Sequence, residues 1–222
     1  MEPATASRAQ LNKERVVRAA VALAARDGIE TLTMRRLAEE LGVGAMTLYH
    51  YVPNKVELLD AMVDVVFAEI ELPPAGGDWK AALRSRALST RDALNRNRWA
   101  VGLMESRTTP GPASLRLHDA VLGCLREAGF SIEATIQAYS VQDAYIYGFA
   151  LQETSLPFDD AAGAAAVATE QAHGFDALAE EFPYLSEVVA GHVAKVGYDF
   201  TAAFEYGLDL ILDGLEQHRA TT

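Results

Sequence analysis

The stretch from residue 33 to residue 52 constrains the fold more than any other part of the chain. Thr33 suits the N-terminal cap of a short helix over 34–41, and Gly42, which tolerates positive φ, suits its end. A second short helix is predicted at about 45–51. Two short helices across a tight turn form a helix-turn-helix, which needs apolar and small residues at fixed offsets. The residues at those offsets are Leu37, Ala38, Leu41, Gly42, Val43, Leu48 and Tyr51.

The outer face of this helix pair has the character of a DNA-reading surface. If Leu48 faces inward, its neighbours point outward, and a short helix with small and polar residues suits the major groove. Thr33 and Lys55 flank the pair, where they can hold phosphates, and Arg35 can reach a guanine edge or a phosphate. A purely structural helix pair is the alternative. The predicted DNA contacts are Thr33, Arg35, Ala45, Met46, Thr47, Tyr49, His50 and Lys55.

The same segment resembles the DNA-binding region of the TetR family of regulators. The resemblance lies in TMRRLAEELGVGAMTLYHYVPNK, residues 33–55, and extends over roughly residues 11–66. It implies that Ala45 and Met46, which replace polar or proline residues of some members, contact thymine methyl groups. It also implies phosphate contacts from four residues, with Arg35 and the start of the second helix nearest the bases. These four are Thr33, Thr47, Tyr49 and Lys55.

Helical periodicity dominates the whole chain, and no stretch shows sustained strand alternation, so we expect an all-α fold. An N-terminal three-helix helix-turn-helix domain is predicted at 11–70, after a disordered tail at 1–10. The run from Pro73 to Asp78 separates it from a helical domain at 79–218 that forms a ligand pocket and a dimer interface. Helices of that domain are expected near 79–97, 99–106, 113–128, 132–153, 165–181, 184–195 and 198–218, with a mobile connection at about 155–165.

The charge of the chain is unevenly distributed, which matters for a DNA-binding protein. The net charge is −12, but residues 1–67 hold eight basic and nine acidic side chains. The remainder holds 11 basic and 22 acidic side chains. DNA binding needs basic groups locally at the phosphates rather than a basic average. A nearly neutral N-terminal segment permits DNA binding without demonstrating it.

Several function classes lack support in the sequence. No apolar run is long enough for a membrane span, and the N-terminus lacks the apolar region of a secretion signal. The single cysteine, Cys124, fits a reducing compartment, so we expect a cytoplasmic protein. No hydrolase, zinc-protease, redox or phosphate-loop motif occurs, and the five histidines have no metal-ligand spacing. We therefore predict no enzyme activity, no cofactor and no metal.

The last helix carries an apolar stripe that we interpret as a subunit interface. A helix-turn-helix usually acts as a dimer, because one short helix reads too few base pairs of a two-fold operator. The alternative is an intramolecular core. The resemblance favours a homodimer, since the stripe is similar to the final helix of tetracycline-repressor-type members, with the helix at 132–153 as its partner. The predicted interface residues are Phe204, Leu208, Ile211, Leu212 and Leu215.

The helix at 132–153 has aromatic side chains with polar tips, which is typical of a small-molecule pocket. Ordinary helix packing remains an equal alternative. Alignment on Gly129-Phe130-Ser131 places Glu105 where tetracycline repressors have a metal-binding histidine, which argues against magnesium–tetracycline as the ligand. The predicted pocket residues are Trp99, Glu105, His118, Tyr139 and Asp143.

These observations predict a sequence-specific, DNA-binding transcriptional regulator. Its expected form is a homodimeric repressor that binds a palindromic operator on double-stranded DNA and is released by an unknown small molecule. Release requires the effector to bind one of two protein conformations more tightly. The alternative is a helical ligand-binding or enzymatic module with a vestigial DNA-binding segment.

Overall fold

The computed structural model describes residues 11–104, 106–156, 163, 166–167, 179–193 and 199–219. Within these ranges the protein consists of helices, turns and connections without strands, so the predicted all-α class is confirmed. The predicted tail at 1–10 and most of the predicted connection at 155–165 and helix at 165–181 lie outside the described residues.

Four helices form the N-terminal unit: α1 (Lys13–Asp27), α2 (Met34–Leu41), α3 (Ala45–Tyr49) and α4 (Lys55–Ala68). Local signals set their ends, since the side chains of Asn12, Thr33 and Asn54 each accept a backbone N–H in the first turn of α1, α2 and α4. Gly42 ends α2 in the left-handed conformation, at φ 65° and ψ 34°. The helix pair predicted over 33–52 is therefore present.

The second helix of this pair is shorter than predicted. α3 ends at Tyr49, and the backbone N–H groups of Tyr51 and Val52 both donate to the carbonyl oxygen of Leu48, at 2.9 Å. This tight turn comes directly before Pro53, and a proline disfavours the helical conformation in the residue that precedes it. The chain then turns into α4.

Among the described residues of the body, 79–219, six further helices are present. They are α5 (Trp79–Arg96), α6 (Val101–Met104), α7 (Pro112–Glu127), α8 (Ile132–Thr154), α9 (Pro183–Val188) and α10 (Phe200–Arg219). A 3₁₀ turn, Arg98–Ala100, precedes α6, and a π-helical turn, Val189–Val193, follows α9. Helix α8 packs against α5, α6, α7 and α10, while α7 also packs against α4. The body is therefore a bundle joined to the N-terminal unit through α4.

The two hydrophobic cores of the protein meet within α4, and the domain boundary predicted near residue 70 stays a prediction. Leu58 and Met62 belong to the N-terminal core, while Val66 and Phe67 belong to the core of the body. Trp99, from the 3₁₀ turn, packs against both cores. A reorientation of α4 therefore displaces residues in both cores, because close-packed interiors transmit displacements rather than absorb them.

Helix α10 is fixed to the body by one apolar and one charged face. Phe204, Leu208 and Leu212 are at most 2% exposed within a single chain. On the adjacent face, Arg84 of α5 pairs with both Glu205 and Asp209, at 2.7 and 2.9 Å. These three side chains, which the sequence assigned to a subunit interface, therefore pack in the intramolecular core, the alternative that the sequence left open. Ile211 and Leu215, the other two predicted interface residues, are half-buried.

Candidate DNA-binding surface and effector cavity

The predicted DNA contacts lie on one exposed side of the helix-turn-helix. Leu37 and Leu48 are fully buried and hold the two helices together. Met46 is 76% exposed and Tyr49 is 42% exposed, so both side chains are accessible on the outer face of α3. Ala45 is half-buried, and the other predicted contacts are exposed: Thr33, Arg35, Thr47, His50 and Lys55.

The basic groups of the N-terminal unit fall into two sets. Arg26 bridges Asp27 and Glu40, and Arg36 also pairs with Asp27, at 2.6 Å. This network ties α1 to α2, and hydrogen bonds from Arg26 lower the pKa of both Asp27 and Glu40 below the ordinary carboxyl range. These arginines have structural partners, so they are poor candidates for phosphate contacts.

The second set is available to DNA. Arg35 pairs with Glu39, four residues later, and its side chain is 87% exposed, so the pair is weak and easily exchanged for a phosphate. Lys55, at the start of α4, makes no ion pair with any residue that the structure describes. The oxygen of Thr33 accepts the N–H of Arg36, which leaves its hydroxyl proton free to donate. Thr33, Arg35 and Lys55 are therefore exposed and accessible to a phosphate backbone, and their contacts with DNA stay a prediction.

A cavity of about 240 Å³ lies between the N-terminal unit and the body. Helix α4 forms one wall, and the opposite side comes from α6, α7, α8 and the segment 107–111. Its lining is mixed in character, with apolar groups from Val63, Phe67, Met104 and Pro110, and polar groups from Asp60, Asp64, Arg107, Thr109, Ser114, His118 and Tyr139. A concave site of mixed polarity between two packed units is a candidate small-molecule site.

Aromatic rings stack edge to face along this cavity. His118 lies between Phe67 and Tyr139, with ring centroids 5.7 and 5.8 Å apart and interplanar angles of 77° and 89°. Burial lowers the pKa of His118, so its imidazole is neutral near pH 7 and presents one donor and one acceptor. Burial and the neighbouring Asp143 raise the pKa of Tyr139, which therefore keeps its hydroxyl proton. The aromatic wall is thus uncharged.

A buried ion pair lies next to Tyr139, outside the lining of the cavity. Nη2 of Arg86 lies 2.8 Å from Oδ1 of Asp143, with the two side chains 0% and 10% exposed. The contact is an ion pair by distance, not an aligned hydrogen bond, because neither atom has a hydrogen bond of acceptable geometry among the described residues. Asp143 also faces the Tyr139 hydroxyl. The opposite charges of Arg86 and Asp143 largely cancel, so this pair adds little net charge to the core of the body.

The five residues predicted to line a pocket are placed differently from one another. His118 and Tyr139 line the cavity. Asp143 does not line it and stands one layer behind Tyr139 with Arg86. Trp99 is also absent from the lining and packs between the two cores, with its buried indole N–H lacking a described hydrogen-bond partner. Glu105 lies outside the described residues.

The α4 side of the cavity was not predicted from the sequence. Asp60 and Asp64 are four residues apart on a helix whose other inward positions are apolar, and this spacing is a signal that the sequence does contain. Asp60 pairs with Arg107 at 2.6 Å, and Asp64 accepts two backbone N–H groups of α7. Arg86 left no comparable signal, because its surroundings in the sequence resemble a solvated helix face.

An exposed helix-turn-helix joined by one helix to a bundle with a cavity defines a class of protein. It is the architecture of a DNA-binding transcriptional regulator that carries its sensor in the same chain. Three kinds of comparison with known proteins agree with this class.

Two family descriptions match the chain in succession. Residues 16–62 match the bacterial regulatory proteins of the tetR family, and residues 72–219 match the tetracyclin repressor-like C-terminal domain. The protein therefore belongs to the TetR family. It is a DNA-binding transcriptional repressor regulated by a small-molecule effector, and the resemblance seen in residues 33–55 is confirmed.

Individual relatives cover nearly the whole chain. The transcriptional repressor DrrR1 of Streptomyces coeruleorubidus is 35% identical over 96% of this chain and 80% of its own length. The class A tetracycline repressor from Escherichia coli is also 35% identical, over 95% of this chain and 93% of its own. The structure of ActR from Streptomyces coelicolor in complex with actinorhodin superposes with a TM-score of 0.80 at 28% identity, covering 95% of this chain and 99% of that one.

The described residues lack the features of a metal site and of a membrane span. Within the described ranges, no three histidine, cysteine, aspartate or glutamate side chains converge as a metal site requires. None of the described helices has the length and apolar character needed to cross a membrane. The absence of a metal, a cofactor and an enzymatic activity stays a prediction.

Proposed function

We propose that the protein binds a two-fold symmetric operator as a homodimer, with α3 of each subunit in the major groove. Support comes from the exposed Met46 and Tyr49 on α3, flanked by the groups suited to phosphates. Arg35 and the start of α3 approach the bases, where Ala45 and Met46 favour thymine methyl groups. Thr33, Thr47, Tyr49 and Lys55 hold the backbone, and His50 lies at the edge of the surface. The cytoplasm is the compartment in which this function operates.

The dimer surface that we propose is the outward side of α8 and α10. Tyr206 and Leu210 of α10 are 70% and 57% exposed, and they lie one turn apart on the side of the helix opposite the buried Phe204, Leu208 and Leu212. On the neighbouring helix, Val141 and Leu151 are 47% and 54% exposed, with Ala144 and Gly148 exposed between them. Adjacent apolar stripes with small residues permit close helix packing against a second copy. This replaces the buried stripe that the sequence suggested.

The cavity between α4 and the body is the proposed effector site. This proposal rests on the α4 wall of the cavity, because α4 also supplies Leu58 and Met62 to the core that holds the helix-turn-helix. A ligand that binds one orientation of α4 more tightly than another changes the affinity of the protein for its operator. The operator must then change the affinity for the ligand by the same factor. Edge-on rings of Phe67, His118 and Tyr139 suit an uncharged aromatic group. Actinorhodin, the ligand named for one structural neighbour, is the first compound to test. Minocycline, named for another, is the contrast, because Glu105 argues against a magnesium–tetracycline ligand.

Replacing Lys55 by alanine tests the DNA surface. An operator duplex is first recovered with the wild-type protein from a pool of random duplexes. The Lys55→Ala dimer should bind it about 10-fold more weakly, and the slope of log affinity against log salt should fall by about 2, because each subunit loses roughly one phosphate contact. Arg116→Ala, which removes an exposed charge from α7, should change neither quantity. Equal effects of the two substitutions, measured by fluorescence anisotropy, would contradict the assignment.

A tryptophan at the cavity mouth tests the effector site. Thr109 is exposed and lines the cavity, whereas its exposed neighbour Thr108 is not among the lining residues. A compound that raises the melting temperature of the wild-type protein should lose that effect in Thr109→Trp and keep it in Thr108→Trp, because only the first side chain obstructs the cavity. Both variants should bind the operator normally without ligand. Full ligand stabilisation of Thr109→Trp would place the effector elsewhere.

The alternative, a ligand-binding or enzymatic module with a vestigial DNA-binding segment, makes opposite predictions. It expects no selection of any sequence from random duplexes and ligand binding that is indifferent to Lys55. The exposed basic and polar groups on the helix-turn-helix favour the DNA-binding proposal.

A further inference from the structure

The N-terminus of α7 is capped by a side chain from a different part of the chain. α7 begins at Pro112, and the residue before it, Gly111, has no side chain to cap it. Oδ1 of Asp64, on α4, accepts the backbone N–H groups of Ala113 and Ser114 at 2.9 and 3.0 Å. A carboxylate at this position satisfies two otherwise unpaired donors and interacts favourably with the helix dipole.

Gly111 is the position that makes room for this cap. A Cβ atom added there would lie 2.2 Å from Cγ and 2.3 Å from Oδ1 of Asp64, far inside contact distance. The backbone does not require glycine, because φ is −83° and ψ is 173°, a conformation open to any residue. The side chain of Asp64 is therefore what excludes a larger residue at position 111.

A second carboxylate on the same face of α4 reinforces the contact. Asp60, one turn before Asp64, pairs with Arg107 at 2.6 Å, and the two side chains are only 17% and 18% exposed. The segment 107–114 is thus attached to α4 at two successive turns. Both attachments lie on the wall of the cavity, where an occupant would meet them.

We propose that Asp64 is a cross-domain cap that holds the helix-turn-helix in the orientation that binds the operator. Asp64 lies between Met62, which belongs to the N-terminal core, and Val66, which belongs to the core of the body. Loss of the cap frees α4 from α7 and changes the spacing of the two recognition helices in the dimer. It leaves the contacts within each helix-turn-helix intact. This inference rests on the proposed function.

Gly111→Ala tests the cap without removing a charge, since the new methyl group displaces Asp64. Without ligand, the amides of Ala113 and Ser114 should exchange hydrogen faster, and affinity for the full operator should fall on the order of tenfold, the effect of losing one helix cap per subunit. Affinity for a duplex that contains a single half-site should not change, because one half-site does not depend on spacing. Asp64→Ala should behave in the same way.

Two further variants control for folding and for charge. Asp64→Asn keeps an acceptor oxygen of the same size and should retain most of the operator affinity. Gly123→Ala, on the same helix with open space around the added Cβ, should match the wild type in exchange and binding. Far-ultraviolet circular dichroism checks that each variant is folded.

Three results would overturn the inference. Unchanged exchange at Ala113 and Ser114 in Asp64→Ala would mean that Asp64 is not a cap. Faster exchange with unchanged operator affinity would make the cap purely structural, and equal losses on full and half-site duplexes would place the effect in the helix-turn-helix itself. Failure of the wild-type protein to select any duplex would instead contradict the proposed function, while exchange would still report on the cap.

Discussion

Leu210→Arg should convert the protein into a monomer and lower its affinity for the full operator by about 10²- to 10⁴-fold. Leu210 is 57% exposed on the outward side of α10, and a charge there cannot be buried against its symmetry-related copy. Two linked half-site contacts bind far more tightly than one, and that advantage is lost with the dimer. Analytical ultracentrifugation and fluorescence anisotropy measure the two effects.

Leu115 provides the matched control for this substitution. Its side chain is 54% exposed on α7, away from the proposed dimer surface, and Leu115→Arg should remain dimeric and bind the operator normally. A Leu210→Arg protein that stays dimeric would exclude the outward side of α10 as the interface. Dissociation caused by Leu115→Arg would move the interface to α7.

Asp143→Ala should lower the free energy of unfolding by about 3–5 kcal/mol, because it leaves Arg86 charged and unpaired in the core of the body. Arg86 is 1% exposed and has no other ion pair among the described residues. Adding Arg86→Met removes the stranded charge, so the double variant should recover most of the loss. Urea denaturation at a fixed protein concentration measures the difference, since dimerisation contributes to stability.

An exposed ion pair serves as the reference for this prediction. Asp209→Ala breaks one contact of Arg84, whose other partner, Glu205, remains, and it should cost less than about 1 kcal/mol. A cost of Asp143→Ala as small as this would mean that the Arg86 pair is solvated. A double variant less stable than Asp143→Ala would mean that Arg86 stabilises the core through its packing.

The local signals of the helix-turn-helix could be predicted from the sequence because they act over a few residues. Thr33 accepts an N–H three residues ahead, and Gly42 needs only its own backbone freedom. The surface followed from the same periodicity, since a buried Leu48 fixes which neighbours face outward. The contacts of these side chains with DNA stay predictions.

The body was harder to predict because its contacts join distant parts of the chain. The period of Phe204, Leu208 and Leu212 identifies an apolar face, but it does not say whether that face meets α5 and α8 or a second subunit. Arg86 has no neighbour in the sequence that indicates burial, because its partner is 57 residues away. His118 and Tyr139 were found through their residue type, while the α4 wall required knowledge of how α4 crosses from one core to the other.

Selection from random duplexes by the wild-type protein tests the central claim most directly. We expect enrichment of one two-fold symmetric sequence, with half-site centres separated by about 10–10.5 base pairs or a multiple of this. The enriched duplex should be bound far more weakly by a protein in which Thr47, Tyr49 and Lys55 are all replaced by alanine. Absence of any enriched sequence, or an enriched sequence that the triple variant binds equally well, would contradict the account.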